Sequence, residues 1–592
     1  MRRSRPSLST WVILAAALFA AFASLVCAWS QAPLNSGDEA AHLDYAIDVW
    51  HGHLPYFYDG VTNRPPFGII PPVQWVSQHP PFFYLVLAPF VGPLWDAGHP
   101  YMSVLAGRSA NAGFAAATVL SVGWAARRVV PRRPDVAAVA AVIVSLTGMF
   151  LLVGGAIYND LPNMTFGALA IGVAASALRS GLSARLVVGA AVVTTLGMLT
   201  RLTFVVFVLA VVVAFLLARW RRSGFWSDWR GHVVAAVTVV AAPVLASTWF
   251  WLRNIRLMGT IVGNDVAYGE QHLGRKQQTF GEVIGSSSWW KSLFALYKGH
   301  LPGNADWTYS LLLVPLVLAL LVGVVTAAVV VARRLRRARR TVGARSTGRR
   351  GALTAGRTRE ELLADLLVVA MLVALTAAVL VGQVRFSTTG GAPNVRYSLA
   401  VMPVLAIPMA IGLTGLGRVL SAVVTVLWME TAGYIWFQIQ DLQKAAFGVE
   451  RTLVVSRWTF VIALVFFSAM LVGVCAMALR RRREVATVVT GDVSTEHGAG
   501  DGPEPGSSTA SVAASQHAPQ HAPRAVGTPP AGDTSRHDGE TPGPRAAPLP
   551  DVPTGAHATP APDHRAEPGA VDASSDAAPH PASRARGSRW AD

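Results

Sequence analysis

The stretch Asn35-Ser36-Gly37-Asp38-Glu39-Ala40-Ala41-His42-Leu43-Asp44-Tyr45 puts two adjacent carboxylates and an imidazole within five residues. Asn35 or Ser36 can cap a short helix beginning near Asp38, and acids suit the first turn of a helix. On that helix Asp38 and His42 are four apart and share a face, and Glu39 and His42 are three apart. Such a group can act as a general base. Asp38, Glu39 and His42 are also the ligands a divalent cation would take here. Capping acids on a solvated turn is the plainer reading of the same spacing.

A second acid lies in Tyr158-Asn159-Asp160-Leu161-Pro162, a turn so tight that Asp160 falls at a helix end. Asn-Asp is ordinary turn chemistry, but an acid at the mouth of two apolar runs is costly unless it is paired or used. Arg201, Arg253, Arg256, Arg385 and Arg396 border apolar runs on the same side. Singly each reads as a snorkelling anchor; together, opposite acids, they suit a phosphate, which a guanidinium binds through two parallel hydrogen bonds. The aromatics Tyr268, Trp289, Trp290, Tyr297 and Trp307 read as an interfacial belt or as stacking surfaces for a sugar.

The apolar runs between these residues must position them. Of 592 residues 52% are hydrophobic and only 14% charged, with a mean hydropathy of +0.42. Soluble domains carry about 25% charged residues, so a soluble enzyme is excluded. The net charge of +17 splits unevenly, with −6 after Val485 and +23 before it. Because the basic residues punctuate apolar runs rather than forming one exposed face, nucleic acid is not the expected partner; membrane lipids are. Cys27 and Cys475, the two cysteines, have no metal or redox spacing and no disulfide framework.

A span needs about 20 apolar residues. About twelve runs qualify, near 11–29, 104–126, 136–157, 162–179, 185–200, 202–219, 233–252, 309–332, 363–384, 398–416, 419–438 and 457–479. The fifth and sixth are short and separated only by Thr200-Arg201. The fold class expected is therefore an all-α integral membrane protein. Basic clusters at Arg2–Arg5, Arg127–Arg133, Arg219–Arg222, Arg333–Arg340 and Arg480–Arg483 all fall on one side if there are twelve spans, which puts both termini in the cytoplasm. The first run reads as an uncleaved anchor rather than a signal peptide. Two outer loops follow, 30–103 and 253–308, the first holding an apolar stretch from His79 that is too short to span and lies in the interface or re-enters it. Residues 1–483 form the membrane domain. Residues 484–592 hold 16 of the 37 prolines and 7 of the 15 histidines and read as a disordered cytoplasmic tail. The basic loop 333–359 reads as flexible, resting on anionic headgroups.

In order, Gly37-Asp38-Glu39-Ala-Ala-His42, His79-Pro80-Pro81-Phe-Phe-Tyr84, Asn159-Asp160, Trp251-Leu-Arg253-Asn254 and Arg396-Tyr397-Ser-Leu-Ala-Val-Met-Pro403 resemble bacterial multispanning proteins of the GT-C glycosyltransferase superfamily, the relatives of mannosyl- and arabinosyltransferases that use polyprenyl-phosphate sugars. The resemblance covers about residues 10–480. It implies a bacterial inner-membrane enzyme that moves a sugar from a polyprenyl-phosphate donor to a glycan or lipid acceptor on the outer face. Asp38 would then be the base, Glu39 its support or a co-ligand of a cation, and Asp160 the second acid. His42, His79, Asn159, Arg201, Arg253, Asn254, Arg396 and Tyr397 would line the substrates, the arginines holding the lipid phosphate. Transfer would invert the anomeric centre. Gly37 stands where the common form has proline, and the large soluble sugar-binding domain of some relatives is absent.

Two other classes compete. A transporter or lipid-linked-sugar flippase predicts midplane acids and an internal repeat, and no repeat is visible. A scaffold predicts that the tail matters and Asp38 does not.

Overall fold

The computed structural model describes residues 6–218, 228–297, 306–343, 349–447 and 453–493, and among them the chain is helical with no strand. The first helix, α1 (Leu8–Ser30), leads into the first long loop, the one expected on the outer side, which carries α2 (Gly37–Trp50) and α3 (Phe82–Asp96). Then come α4 (Pro100–Val129), α5 (Pro134–Ser145), α6 (Gly148–Gly154), α7 (Asp160–Ser180), α8 (Ala184–Met198), α9 (Val205–Leu216) and α10 (Trp229–Met258). In the second long loop the described residues hold three short helices, α11 (Val266–Leu273), α12 (Phe280–Gly285) and α13 (Ser287–Leu293). The rest is α14 (Asp306–Gly343), α15 (Arg349–Thr388), α16 (Val395–Ser398), α17 (Met402–Leu413), α18 (Arg418–Phe447) and α19 (Leu453–Val493).

Each of the twelve apolar runs contains helix among the described residues, but they do not all qualify as spans. Among the described residues eight helices are long and apolar enough to cross a membrane, or nine if α5 and α6, bent by 65° at their junction, count as one. This makes a multi-pass membrane protein. Of the remaining runs, α8 and the stretch Leu202–Leu216 are short. Helix α4 has 30 residues, but Arg108, Ser109 and Asn111 sit in its N-terminal half and dilute its apolar character. The basic loop 333–359 is largely helical instead of irregular, because α14 runs to Gly343 and α15 starts at Arg349. Helix α19 continues past Arg483 to Val493; the expected disordered tail beyond it, and the cluster at Arg219–Arg222, lie outside the described residues.

Helix α1 packs against α4, α5 and α19, α4 against α7, and α14 against α17. The last contact is backbone on backbone. A Cβ at Gly323 would lie 1.9 Å from the Pro408 carbonyl oxygen, and one at Gly412 the same distance from that of Ala319. Only glycine permits this approach, the usual device where lipid supplies no hydrophobic drive between helices.

Two ends of the bundle differ chemically. At one, Arg127 reaches Ser9 and Thr10 at the start of α1, Arg132 pairs with Glu361, and Arg179 and Arg334 pair with Asp365. These contacts gather two of the expected basic clusters on one side. At the other end the first outer loop has its own core, in which Leu43, Tyr45, Val61, Phe83, Tyr84 and Leu87 pack with Val104 of α4 and Ile157. Residues 37–50 thus form a fixed helix, with α3 packed against it and α4.

Candidate active site

Helix α2 begins at Gly37 with Ser36 in the cap position, as its sequence suggests, yet the Ser36 side chain makes no capping bond. Its Oγ instead accepts the Tyr158 hydroxyl at 3.0 Å. This contact joins the start of α2 to the turn before α7. Asp160 opens α7, and Arg201 lies in the break between α8 and α9. Arg396 sits in the single turn of α16, whose cap Asn394 accepts the Arg396 backbone N–H at 3.0 Å.

These segments converge on three carboxylates and three guanidiniums. Arg396 Nη2 donates to Asp38 Oδ2 at 2.5 Å, and Arg201 Nη1 donates to Asp160 Oδ1 at 2.5 Å. Arg396 Nε lies 3.4 Å from Asp160 Oδ2, so one arginine faces both acids. The Arg396 guanidinium also covers the Tyr158 ring at 4.2 Å, a cation–π contact. Burial lifts the Tyr158 hydroxyl to about 12, with Arg396 opposing, so the phenol stays protonated and donates to Ser36.

Glu39 takes a different place from the one expected beside Asp38. Arg108 Nε and Nη2 donate to its two carboxylate oxygens at 2.7 and 2.8 Å, and the Ile157 backbone N–H adds a third bond at 3.2 Å. Both side chains are closed to solvent. Glu39 is thus committed to Arg108 and the Ile157 N–H rather than to Asp38.

His42 is buried, and Tyr84 Oη lies 2.9 Å from its Nδ1. The His79 ring lies parallel to it, centroids 6.3 Å apart. Burial, reinforced by Arg396 and Arg201, pushes the His42 pKa well down; burial and Arg201 do the same to His79. Both imidazoles are neutral at neutral pH. A divalent cation does not fit: Asp38, Glu39 and His42 are turned to Arg396, Arg108 and Tyr84. Among the described residues no group of three or more His, Cys, Asp or Glu is placed to hold a metal ion.

The other expected residues divide. Asn159 Nδ2 reaches the Thr200 carbonyl at 3.4 Å, and its buried Oδ1 has no hydrogen-bond partner. Tyr397 flanks Arg396 at 5.6 Å and packs on Phe386. Arg253 and Asn254 brace loops instead: Arg253 donates to the Leu54 and Pro55 carbonyls and Asn254 to that of Ile261. Arg256 and Arg385 are exposed. Of the five outer arginines, then, Arg201 and Arg396 meet at the acids. Trp289 and Tyr297 are buried, Trp289 in a small core with Val283, Leu293 and Val384, so neither is a membrane belt residue or a sugar platform. The Trp307 side chain lies outside the described residues.

Sequence reasoning missed Arg108 and Tyr158. A lone arginine inside an otherwise apolar run was the available signal, since such a residue persists only when paired or used.

No family model and no curated protein sequence matches the chain. Among solved structures, the oligosaccharyltransferase of Archaeoglobus fulgidus in its apo form is similar at 13% identity over 74% of this chain and 56% of that one, with a TM-score of 0.41. ArnT from Cupriavidus metallidurans, bound to undecaprenyl phosphate, is similar at 16% identity over 80% of this chain and 77% of that one, with a TM-score of 0.39. The chain spans about half the length of the oligosaccharyltransferase it matches. At these values the likeness is one of outline and assigns no activity.

Proposed function

We propose that this protein is a membrane glycosyltransferase that moves a sugar from a polyprenyl-phosphate donor to a cell-envelope glycan or lipid acceptor on the outer face of the bacterial membrane. The observation that carries the reading is the contact of Arg396 and Arg201 with Asp38 and Asp160, where a base and a phosphate-binding pair adjoin. Asp38, with its side chain 32% exposed against 3% for Asp160, is the acid a substrate hydroxyl can reach. In the reaction the acceptor oxygen forms a bond to the anomeric carbon and its proton passes to Asp38. The bond from that carbon to the phosphate oxygen breaks, and the phosphate leaves with the electron pair. Arg396 and Arg201 stabilise the developing charge, the largest kind of catalytic contribution in a dry site. Attack opposite the leaving group inverts the centre.

Deleting the gene tests the proposal, with envelope glycans and the lipid-linked sugar pool both measured. The proposal expects one sugar to vanish from the glycan and its polyprenyl-phosphate form to accumulate. Unchanged glycans and an unchanged pool would favour transport or scaffolding instead.

A further inference from the structure

Arg396 stands between two carboxylates and hydrogen-bonds only one. Its Nη2 holds Asp38, while its Nε faces Asp160 Oδ2 across 3.4 Å. Both of the latter atoms are buried without a hydrogen-bond partner. A buried donor and a buried acceptor left apart are each expensive, and native proteins keep such orphans where they serve something. A second position of the guanidinium, nearer Asp160, would satisfy both. The Tyr158 ring beneath it, at 4.2 Å, is a face on which the cation can turn without losing its partner, and Tyr158 is itself pinned to Ser36.

The charges of these six residues also balance. Arg108 is matched by Glu39, Arg201 by Asp160 and Arg396 by Asp38. An entering phosphate therefore competes with a carboxylate for its arginine. The Arg396–Asp38 pair is the one to open, because the Asp38 side chain is 32% exposed whereas those of Glu39 and Asp160 are 1% and 3% exposed.

Resting on the transferase reading, we propose that Arg396 is a two-position lock on Asp38: it holds the carboxylate until the donor's phosphate draws the guanidinium away, so the base is released only when donor is in place. Donor then binds before acceptor, and a lipid alcohol without phosphate leaves Asp38 locked.

The test uses the full-length protein in lipid nanodiscs with a polyprenyl monophosphate as probe, and polyprenol and inorganic phosphate as comparison ligands. Asp38→Asn removes the competing charge and should bind the lipid phosphate about tenfold tighter than wild type, the worth of one modest ionic contact. Arg396→Gln should bind it at least about tenfold weaker, with Arg396→Lys between. Polyprenol should respond to none of these changes. A gain in affinity cannot arise from misfolding, so Asp38→Asn decides the matter. If it binds no tighter while Arg396→Gln binds weaker, the lock is wrong and the donor site stands. If the lipid phosphate binds all variants as polyprenol does, the donor site itself is wrong. If inorganic phosphate binds as tightly as the lipid form, the site is a plain anion site and both proposals fall.

Discussion

Arg108 grips Glu39 through two parallel hydrogen bonds of 2.7 and 2.8 Å, and neither side chain reaches solvent. The same guanidinium donates to the carbonyls of Ala28, Gln31 and Ala32, and Glu39 accepts the Ile157 N–H. One ion pair thus ties the end of α1, the start of α2, the N-terminal half of α4 and the turn before α7. Asp38 and Asp160 flank that knot in sequence, each within three residues of a bonded group.

Breaking one half of a buried pair strands the other charge, at a cost of about 3–5 kcal/mol. Arg108→Leu should lower thermal stability and membrane abundance by that order. Arg108→Leu combined with Glu39→Leu should recover much of the stability but not the transfer activity. Singles as stable as wild type would show that the pair holds nothing.

A second carboxylate pair on α2 gives a prediction of opposite sense. Asp44 is satisfied by Thr62, Asn63 and Gln74, but Asp48 Oδ2 is buried without a hydrogen bond. Burial, and then the charge of Asp44, push the Asp48 pKa up. A raised carboxyl pKa in the fold favours the protonated form. Its contribution is full below the ordinary value of about 3.9 and is lost as pH rises through the folded value. Asp48→Asn should therefore raise the melting temperature at pH 7.5 and give no gain near pH 4; a uniform loss at both would refute the assignment.

His42 runs the other way. Its folded pKa is depressed, so its contribution is full above the ordinary value of about 6.5 and is lost as pH falls from there toward the folded value. Replacing it by glutamine, which cannot charge, should flatten the loss of thermal stability on acidification below about pH 6.5. An unchanged acid slope in His42→Gln would mean that other groups set it.

Much of this architecture was legible from local chemistry. Apolar run length predicted where helices lie, and Asp38 at the start of α2 followed from composition around a cap. Spacing could not reveal that Asp38 meets Arg396, 358 positions away, nor that adjacent acids part company, Glu39 turning inward to Arg108 and Asp38 outward. Helical periodicity pairs His42 with Asp38 and with Glu39, but which atom each side chain meets depends on α4, α7 and α16. Trp289 misled for a similar reason: the second long loop packs its apolar residues onto Val384 of α15, so an aromatic in a loop was not an aromatic at a lipid boundary.

The most direct test of the central claim is complementation of the deletion strain with Asp38→Asn, scored by the missing envelope sugar at membrane abundance equal to wild type. Asp38 is partly exposed, so the near-isosteric amide should fold, and loss of a general base lowers rate by about 10²–10⁴-fold. The account predicts that wild type restores the sugar and Asp38→Asn leaves the polyprenyl-phosphate sugar accumulated. Full restoration by Asp38→Asn would contradict it.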